Sequence, residues 1–345
     1  MTQAIVTELL AWYDAGHRDL PWRRTKDPYH IWLSEIMLQQ TRVEAVIPYY
    51  ERFLQTCPTV SALADTKEEV YLKLWEGLGY YSRVRNLHKA ACVVCEQYGG
   101  KMPDSHKALL SLPGIGDYTA GAIASIAFDL PEPAVDGNVL RVCARVNGDF
   151  RSIDDPKVKR DFRAQLVEIM PDERPGDLNQ AFMELGATVC IPNGAPRCGN
   201  CPIMHLCCAF HEKTWGCIPV RTPKKARTVV ERTVILARCG ELVGIRRRPD
   251  AGLLARMWEL PAYEGKREPR EIRAQLAEDG WQVKKLLSLS PAKHIFTHIE
   301  WHMTGYYAEM DEAAPNLVWV TPGELRGAYA LPSAFRAFLR VLEED

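Results

Sequence analysis

Through the first 210 or so residues, apolar positions recur at helical spacing in EIMLQQTRVEAVIPYYERFL, EEVYLKLWEGLGYY, VRNLHKAACVVCEQY, ALLSLPG, YTAGAIASIAF, VLRVCARV and FRAQLVEIM, with turn residues between the runs. This period predicts a series of short helices. Beyond KTWGCIPVRTPKKART, which is basic and proline-containing, the pattern changes to β-branched runs in RTVILARC, ELVGIRRR, EWHMTGYYAEM and NLVWV, with helical periods at PREIRAQLAEDG and PSAFRAFLRVLEE. The chain therefore reads as multi-domain: an all-α domain over 1–212, a linker over 213–228 and an α+β domain over 229–345. No internal repeat or low-complexity tract interrupts this division.

A length of 345 residues with 47% hydrophobic and 25% charged positions supports two cores of ordinary globular composition. Net charge is −1, divided as −5 over residues 1–212 (22 basic, 27 acidic) and +4 over the remainder (21 basic, 17 acidic). Binding to a polyanion must then rest on local patches. Two are visible: Arg83, Arg85, His88 and Lys89 on one helix, and Arg221, Lys224, Lys225, Arg227 and Arg232 after the helical half. A solvated charged face fits either patch equally well. The N-terminal run contains Glu8 and Asp14 and has no basic start or small-residue cleavage site, and no apolar stretch reaches the roughly twenty residues of a membrane helix. We therefore expect a cytoplasmic protein with no membrane partner, nucleoid-associated if bacterial, whose 11 cysteines serve as thiols and metal ligands.

Four of those cysteines, Cys190, Cys198, Cys201 and Cys207, form C-x7-C-x2-C-x5-C directly after QAFMELGATVC. Sulfur donors so close in sequence point to a metal, and the spacing alone suits either zinc or an iron–sulfur cluster. Cys208 is a competing fourth ligand. Cys92 and Cys95 form another C-x2-C, but on a helical pattern with no second pair, which reads as buried apolar packing.

Between Leu112 and Asp136 the chain reads LPGIGDYTAGAIASIAFDLPEPAVD. Gly114 and Gly116 permit backbone angles closed to other residues, so successive amides can face outward at a helix N-terminus, where the dipole favours a phosphate. A turn joining two packed helices has the same glycine spacing. Two acids stand out nearby. Glu35 lies in IWLSEIMLQQT, an otherwise apolar run where burial would raise its pKa, and Asp136 follows the second glycine by twenty residues. A helix-end partner and a helix N-cap are their structural alternatives.

LPGIG followed by VDGNVLRV resembles the helix-hairpin-helix and catalytic acid of the endonuclease III superfamily of DNA glycosylases, and WLSEIMLQQT resembles the segment that carries the catalytic glutamate of its MutY-type adenine-specific branch. The resemblance implies an all-α helix-hairpin-helix glycosylase domain with a 4Fe-4S cluster loop, in which Cys190, Cys198, Cys201 and Cys207 are the ligands. The first gap here holds seven residues where the family usually has six. The resemblance also implies that Glu35 is the general acid toward N7 of adenine, that Asp136 stabilises the cationic sugar and that Asn138 orients the reacting groups. At Tyr118 the superfamily's glycosylase-lyases carry a nucleophilic lysine, so a monofunctional, water-using glycosylase is expected. Gln40 and Tyr80 match intercalating positions, with Thr41 and Leu78 near the opposite base. Trp22, Arg23, Leu38 and Gln180 match the adenine pocket.

The chain continues for more than one hundred residues past the cysteines. GLLARMWELP and HIFTHIEWHM resemble the Nudix-like domain of adenine glycosylases, which reads 8-oxoguanine. REIRAQLAEDGW lacks the paired glutamates that would hold magnesium in a Nudix hydrolase, which leaves recognition without hydrolysis. The family's F-S-H loop corresponds to Phe296, Thr297 and His298; threonine keeps the hydroxyl and adds a methyl group. The implied partner is double-stranded DNA containing A opposite 8-oxoguanine or G, bound by a monomer.

Overall fold

A computed structural model describes all residues except Lys224 and 343–345. The chain divides into two compact units: Met1–Thr66 with Ser82–Pro223, and Lys67–Tyr81 with Lys224–Asp345. The first is helical. Its helices Pro28–Leu38, Asp117–Phe128, Gly137–Asn147 and Pro175–Thr188 are buried along most of their length; the first two are apolar on most faces, while Gly137–Asn147 buries Arg141 and Arg145 by bonding them to backbone carbonyls. Pro28–Leu38 begins at Asp27, whose carboxylate accepts from the amides of Tyr29 and His30, with proline at the first helical position.

EIMLQQTRVEAVIPYYERFL reads as one helix in the periodicity, yet the chain breaks it into Pro28–Leu38 and Val43–Thr56. Arg83 causes the break. Its Nη1 donates to the carbonyls of Ile36 (2.7 Å), Met37 (3.0 Å) and Gln39 (2.7 Å), satisfying helix-end acceptors that a continuing helix would have used itself. Gln40 then turns the chain with φ 56°, in the left-handed region. Arg83 is therefore a partly buried carbonyl clamp and not a member of a free basic patch.

A second long-range tie runs through Asn179. Its amide accepts from Ala134 N (2.9 Å) and donates to Ser125 Oγ and the Glu132 carbonyl (both 2.8 Å), fixing the extended segment that leads to Asp136. Every hydrogen-bonding group of this buried amide that the fold uses is matched, as a low-dielectric interior requires. The expected linker 213–228 is docked for most of its length. Up to Pro223 it belongs to the helical unit, where Ile218 is buried, its carbonyl accepts from Arg145 Nε at 2.8 Å, and Val220 bridges Ser152.

The second unit is built on a seven-stranded sheet of β1 (Thr228–Cys239), β2 (Leu242–Arg247), β3 (Trp258–Glu259), β4 (Ala262–Glu264), β5 (Val283–Ile295), β6 (Ile299–Met310) and β7 (Val318–Val320). The path is β3-β2-β1-β6-β5, with β4 on β1 and β7 on β2. β1 and β6 run parallel in unbroken register from Thr228 opposite Ile299 to Cys239 opposite Met310. The remaining pairs are antiparallel. Glu271, in the helix Pro269–Glu278, bonds the Glu268 amide in a capping box, so this glutamate closes a helix end.

Candidate active site

A cleft of about 500 Å³ opens in the helical unit, and its walls include Glu35, Asp136, Tyr118, Asn138, Trp22, Arg23, Leu38, Gln180, Gln40 and Thr41. Five separate stretches of sequence converge there. Glu35 lies on the buried face of Pro28–Leu38 and is 5% exposed. Burial raises its pKa from 4.5 to about 7, a hydrogen bond from the Tyr118 hydroxyl moderates the rise, and the nearby charge of Asp136 adds to it. This carboxyl therefore keeps its proton to a much higher pH than an exposed glutamate does. The Tyr118 hydroxyl also meets Met183 Sδ at 3.3 Å.

Asp136 is the N-cap of Gly137–Asn147, accepting from Val139 N at 2.7 Å and from Asn138 Nδ2 at 2.8 Å. Burial raises its pKa too, but these two donors and the charge of Arg141 oppose the rise. The two carboxyls thus have unlike surroundings: Glu35 accepts from a phenol in an apolar wall, while Asp136 is held as an acceptor by amides. That contrast is what acid and anion roles require. Arg141 continues the chain of contacts, donating from Nη2 to Asn138 Oδ1 (2.7 Å) and the Gly186 carbonyl (2.8 Å), and from Nε to the Cys190 carbonyl (2.8 Å). Gly186 permits this approach, because a Cβ there would lie 2.6 Å from Asn138 Cβ.

The charged wall residues Arg18 and Glu184 escaped sequence reasoning. Glu184, 2% exposed, binds Arg18 through Nε and Nη2 and Arg23 through Nη2, all at 2.8 Å. Burial alone would raise its pKa, but the two guanidiniums outweigh burial and hold it at about 2. Their planar forks fix the cleft's cationic side. The signal was present in the helical spacing of Gln180 and Glu184.

The glycine turn behaves differently at its two glycines. Gly114 has φ 79° and a Cβ would clash with Asn86 Cβ at 2.6 Å, so it needs the special conformation. Gly116 corrects the expectation: with φ −102° and ψ −179° it is ordinary extended backbone. Its missing side chain instead leaves open space before the uncapped amides of Asp117–Phe128.

Cys190, Cys198, Cys201 and Cys207 line one apolar pocket with Val142, Ile203, Phe210 and Trp215. Arg145 Nη1 reaches Cys190 Sγ at 3.3 Å. Burial pushes Cys201 up to about 12 and raises Cys198 and Cys207 as well. Among the described residues no group of three His, Cys, Asp or Glu side chains is close enough to grip a single metal ion. Cys208 is exposed, and Cys92 and Cys95 are partly buried with weak contacts to the Ala64 carbonyl (3.9 Å) and Ser61 Oγ (3.7 Å).

In the second unit Phe296, Thr297 and His298 form the tight turn between β5 and β6, closed by Phe296 N donating to the Ile299 carbonyl at 2.8 Å. Phe296 packs inward on Trp301 (ring centroids 4.9 Å), and Thr297 and His298 are exposed. Tyr80, 45% exposed with φ 47°, belongs to this unit, and its hydroxyl lies 3.1 Å from Thr297 Oγ1. Leu78 is only 7% exposed. The second basic patch is largely engaged: Arg221 pairs with Asp154, Arg227 donates to the Phe296 carbonyl and Arg232 stacks on Trp301. Lys224 lies outside the described residues. Among the described residues no helix is long and apolar enough to cross a membrane.

Residues 33–167 match the HhH-GPD superfamily of base excision DNA repair proteins, and residues 232–341 match the NUDIX domain. The adenine DNA glycosylase of Mus musculus is 36% identical across 99% of this chain and 78% of its own length. That of Buchnera aphidicola from Acyrthosiphon pisum is 35% identical across 88% of this chain and 86% of its own. Among solved structures, a thermostable thymine-DNA glycosylase aligns with a TM-score of 0.56 at 30% identity, over 60% of this chain and 95% of that one. Endonuclease III in a trapped DNA covalent intermediate shares the fold, with a TM-score of 0.53 at 24% identity over 62% of this chain and 99% of that one.

Proposed function

The chain belongs to the MutY-type adenine DNA glycosylases, base excision repair enzymes with a helix-hairpin-helix domain and a Nudix-like domain, and from this premise we propose that it removes adenine mispaired with 8-oxoguanine or guanine without cutting the strand. The observation that carries the reading is the presence in one cleft of a buried, proton-holding Glu35 that accepts from Tyr118 and an amide-capped Asp136.

Glu35 protonates the extruded adenine at N7, which makes the leaving group neutral. Asp136 faces the sugar as positive charge grows on it, while Asn138, held by Arg141, keeps that carboxylate oriented. Water then completes the hydrolysis. The described cleft walls carry Arg18 and Arg23 but no lysine, so no neutral amine is at hand to attack the sugar. Trp22, Arg23, Leu38 and Gln180 hold the base by an aromatic face and hydrogen bonds. In the helical unit Gln40 fills the space the base leaves, with Thr41 beside the opposite base; in the second unit the exposed Tyr80 is the other intercalating side chain, while Leu78 is buried. The amides after Gly114 and Gly116 grip a backbone phosphate.

Cys190, Cys198, Cys201 and Cys207 suit a 4Fe-4S cluster, four sulfur donors around a shared apolar pocket beside the Arg145 cation. These four residues would hold the cluster, which would tie the loop of residues 191–206 to Cys190 and Cys207, and no step of base removal is assigned to it. Phe296 anchors the turn that offers the Thr297 hydroxyl and His298 to 8-oxoguanine, and the recognition domain is the expected 229–345 extended by the segment Lys67–Tyr81. We read the active form as a monomer on double-stranded DNA.

The test is incubation with duplexes carrying A opposite 8-oxoguanine, G or T, followed by alkali. Alkali-dependent cleavage of the adenine strand in the first two is expected. An intact adenine strand in all three overturns the reading, as does a borohydride-trapped adduct that depends on residue 118.

A further inference from the structure

The segment Lys67–Tyr81 lies between helices of the first unit in sequence, yet it packs as part of the second. A set of polar ties holds it there. The Glu68 carboxylate, 14% exposed, receives Arg256 Nη2 at 2.7 Å and Arg247 Nη2 at 3.3 Å. Further along, Glu76 Oε1 accepts from the Leu331 amide at 2.8 Å, and Lys73 Nζ joins Glu76 (2.5 Å) to the Tyr329 carbonyl (3.1 Å). The segment ends at Tyr80, whose hydroxyl meets Thr297 at 3.1 Å.

Exposed ion pairs contribute little singly. Here, however, they flank one short stretch whose end is conformationally demanding, since Gly77, Gly79 and Tyr80 all have positive φ. A non-glycine residue in that region persists only where its surroundings impose it. From this geometry we propose that Glu68 and Glu76 are positioning residues: through them the Nudix-like domain sets the backbone of Tyr80, and so makes base discrimination opposite adenine a joint property of Tyr80 and Thr297. Thr297 by itself offers one hydroxyl on a mobile rotor. Tyr80, clamped from Glu76 and Glu68, fixes where that hydroxyl points. Coupling of this kind amounts to a several-fold change in relative affinity.

The inference rests on the functional reading above. Its test uses the full-length chain and measures binding and single-turnover adenine release on A·8-oxoguanine and A·G duplexes. Glu68→Arg sets three cations together, and we expect the 8-oxoguanine preference to fall by about fivefold or more, with the A·G rate at saturating enzyme unchanged. Adding Arg256→Glu to the same chain is expected to recover part of the preference. Glu76→Ala provides an independent break if Glu68→Arg does not fold. A preference retained in the broken variants, or lost without recovery in the paired variant, overturns the inference. Equal handling of both duplexes by the unaltered chain overturns the 8-oxoguanine reading first, and this inference with it.

Discussion

Glu35→Gln separates stability from activity at the site. The carboxyl ionises at 4.5 in the unfolded chain and at about 7 in the folded one, so below 4.5 both states carry the proton and folding is indifferent to it. Between these values the unfolded chain has released the proton and the folded chain has kept it. Stability therefore falls as pH rises, by about 1.4 kcal/mol per pH unit, and levels off above pH 7. Across the whole interval the loss amounts to about 3 kcal/mol. Glutamine is nearly the same size, still accepts from Tyr118 and cannot ionise, so the variant escapes this loss. Urea unfolding of both proteins, followed by tryptophan fluorescence between about pH 5 and pH 8, should show nearly equal stability at the acid end. At the alkaline end the variant should be more stable by about 3 kcal/mol, although it is inactive. A stability difference that does not change with pH would refute a buried, proton-holding Glu35.

Other perturbations follow from the same contacts. Tyr118→Phe removes the hydrogen bond that moderates the Glu35 pKa, so the alkaline limb of the single-turnover pH profile should move to higher pH; an unmoved limb would count against the contact. Gly186→Ala pushes a methyl group against Asn138 and should slow adenine release, at a cost of about 1–3 kcal/mol in unfolding free energy. Asn179→Leu leaves the buried Ala134 amide without a partner and frees the partly buried Glu132 carbonyl, which chemical denaturation should register as about 1–3 kcal/mol lost. Cys198→Ser should remove the visible absorbance of the iron–sulfur group from purified protein and weaken DNA binding by a gel-shift assay; an unaltered spectrum would exclude this residue as a ligand.

What the sequence made legible was local. The four cysteines fall within eighteen residues, and the glycine turn, its following helix and Asp136 form one short run, so spacing drew attention to them and the resemblance to a known family gave them roles. Relations set by distant partners stayed hidden. The break after Leu38 depends on Arg83, more than forty residues away, and no periodicity can announce it. Glu184 reads as an ordinary helical acid until Arg18 and Arg23 arrive from the other end of the domain. β5 was missed because it is an edge strand carrying Lys284, Lys285 and Pro291, with register shifts beside both ends of that run. The short β3 and β4 carry too few residues to form a pattern. Assigning Lys67–Tyr81 to the first domain followed chain order, whereas Glu68 and Glu76 bind it to the second.

The most direct measurement is single-turnover release of adenine from an A·8-oxoguanine duplex near neutral pH by the unaltered chain and by Glu35→Gln, with binding measured in parallel. Loss of at least about a hundredfold in rate with affinity retained is expected if Glu35 delivers the proton. A variant that releases adenine as fast as the unaltered chain would contradict the account.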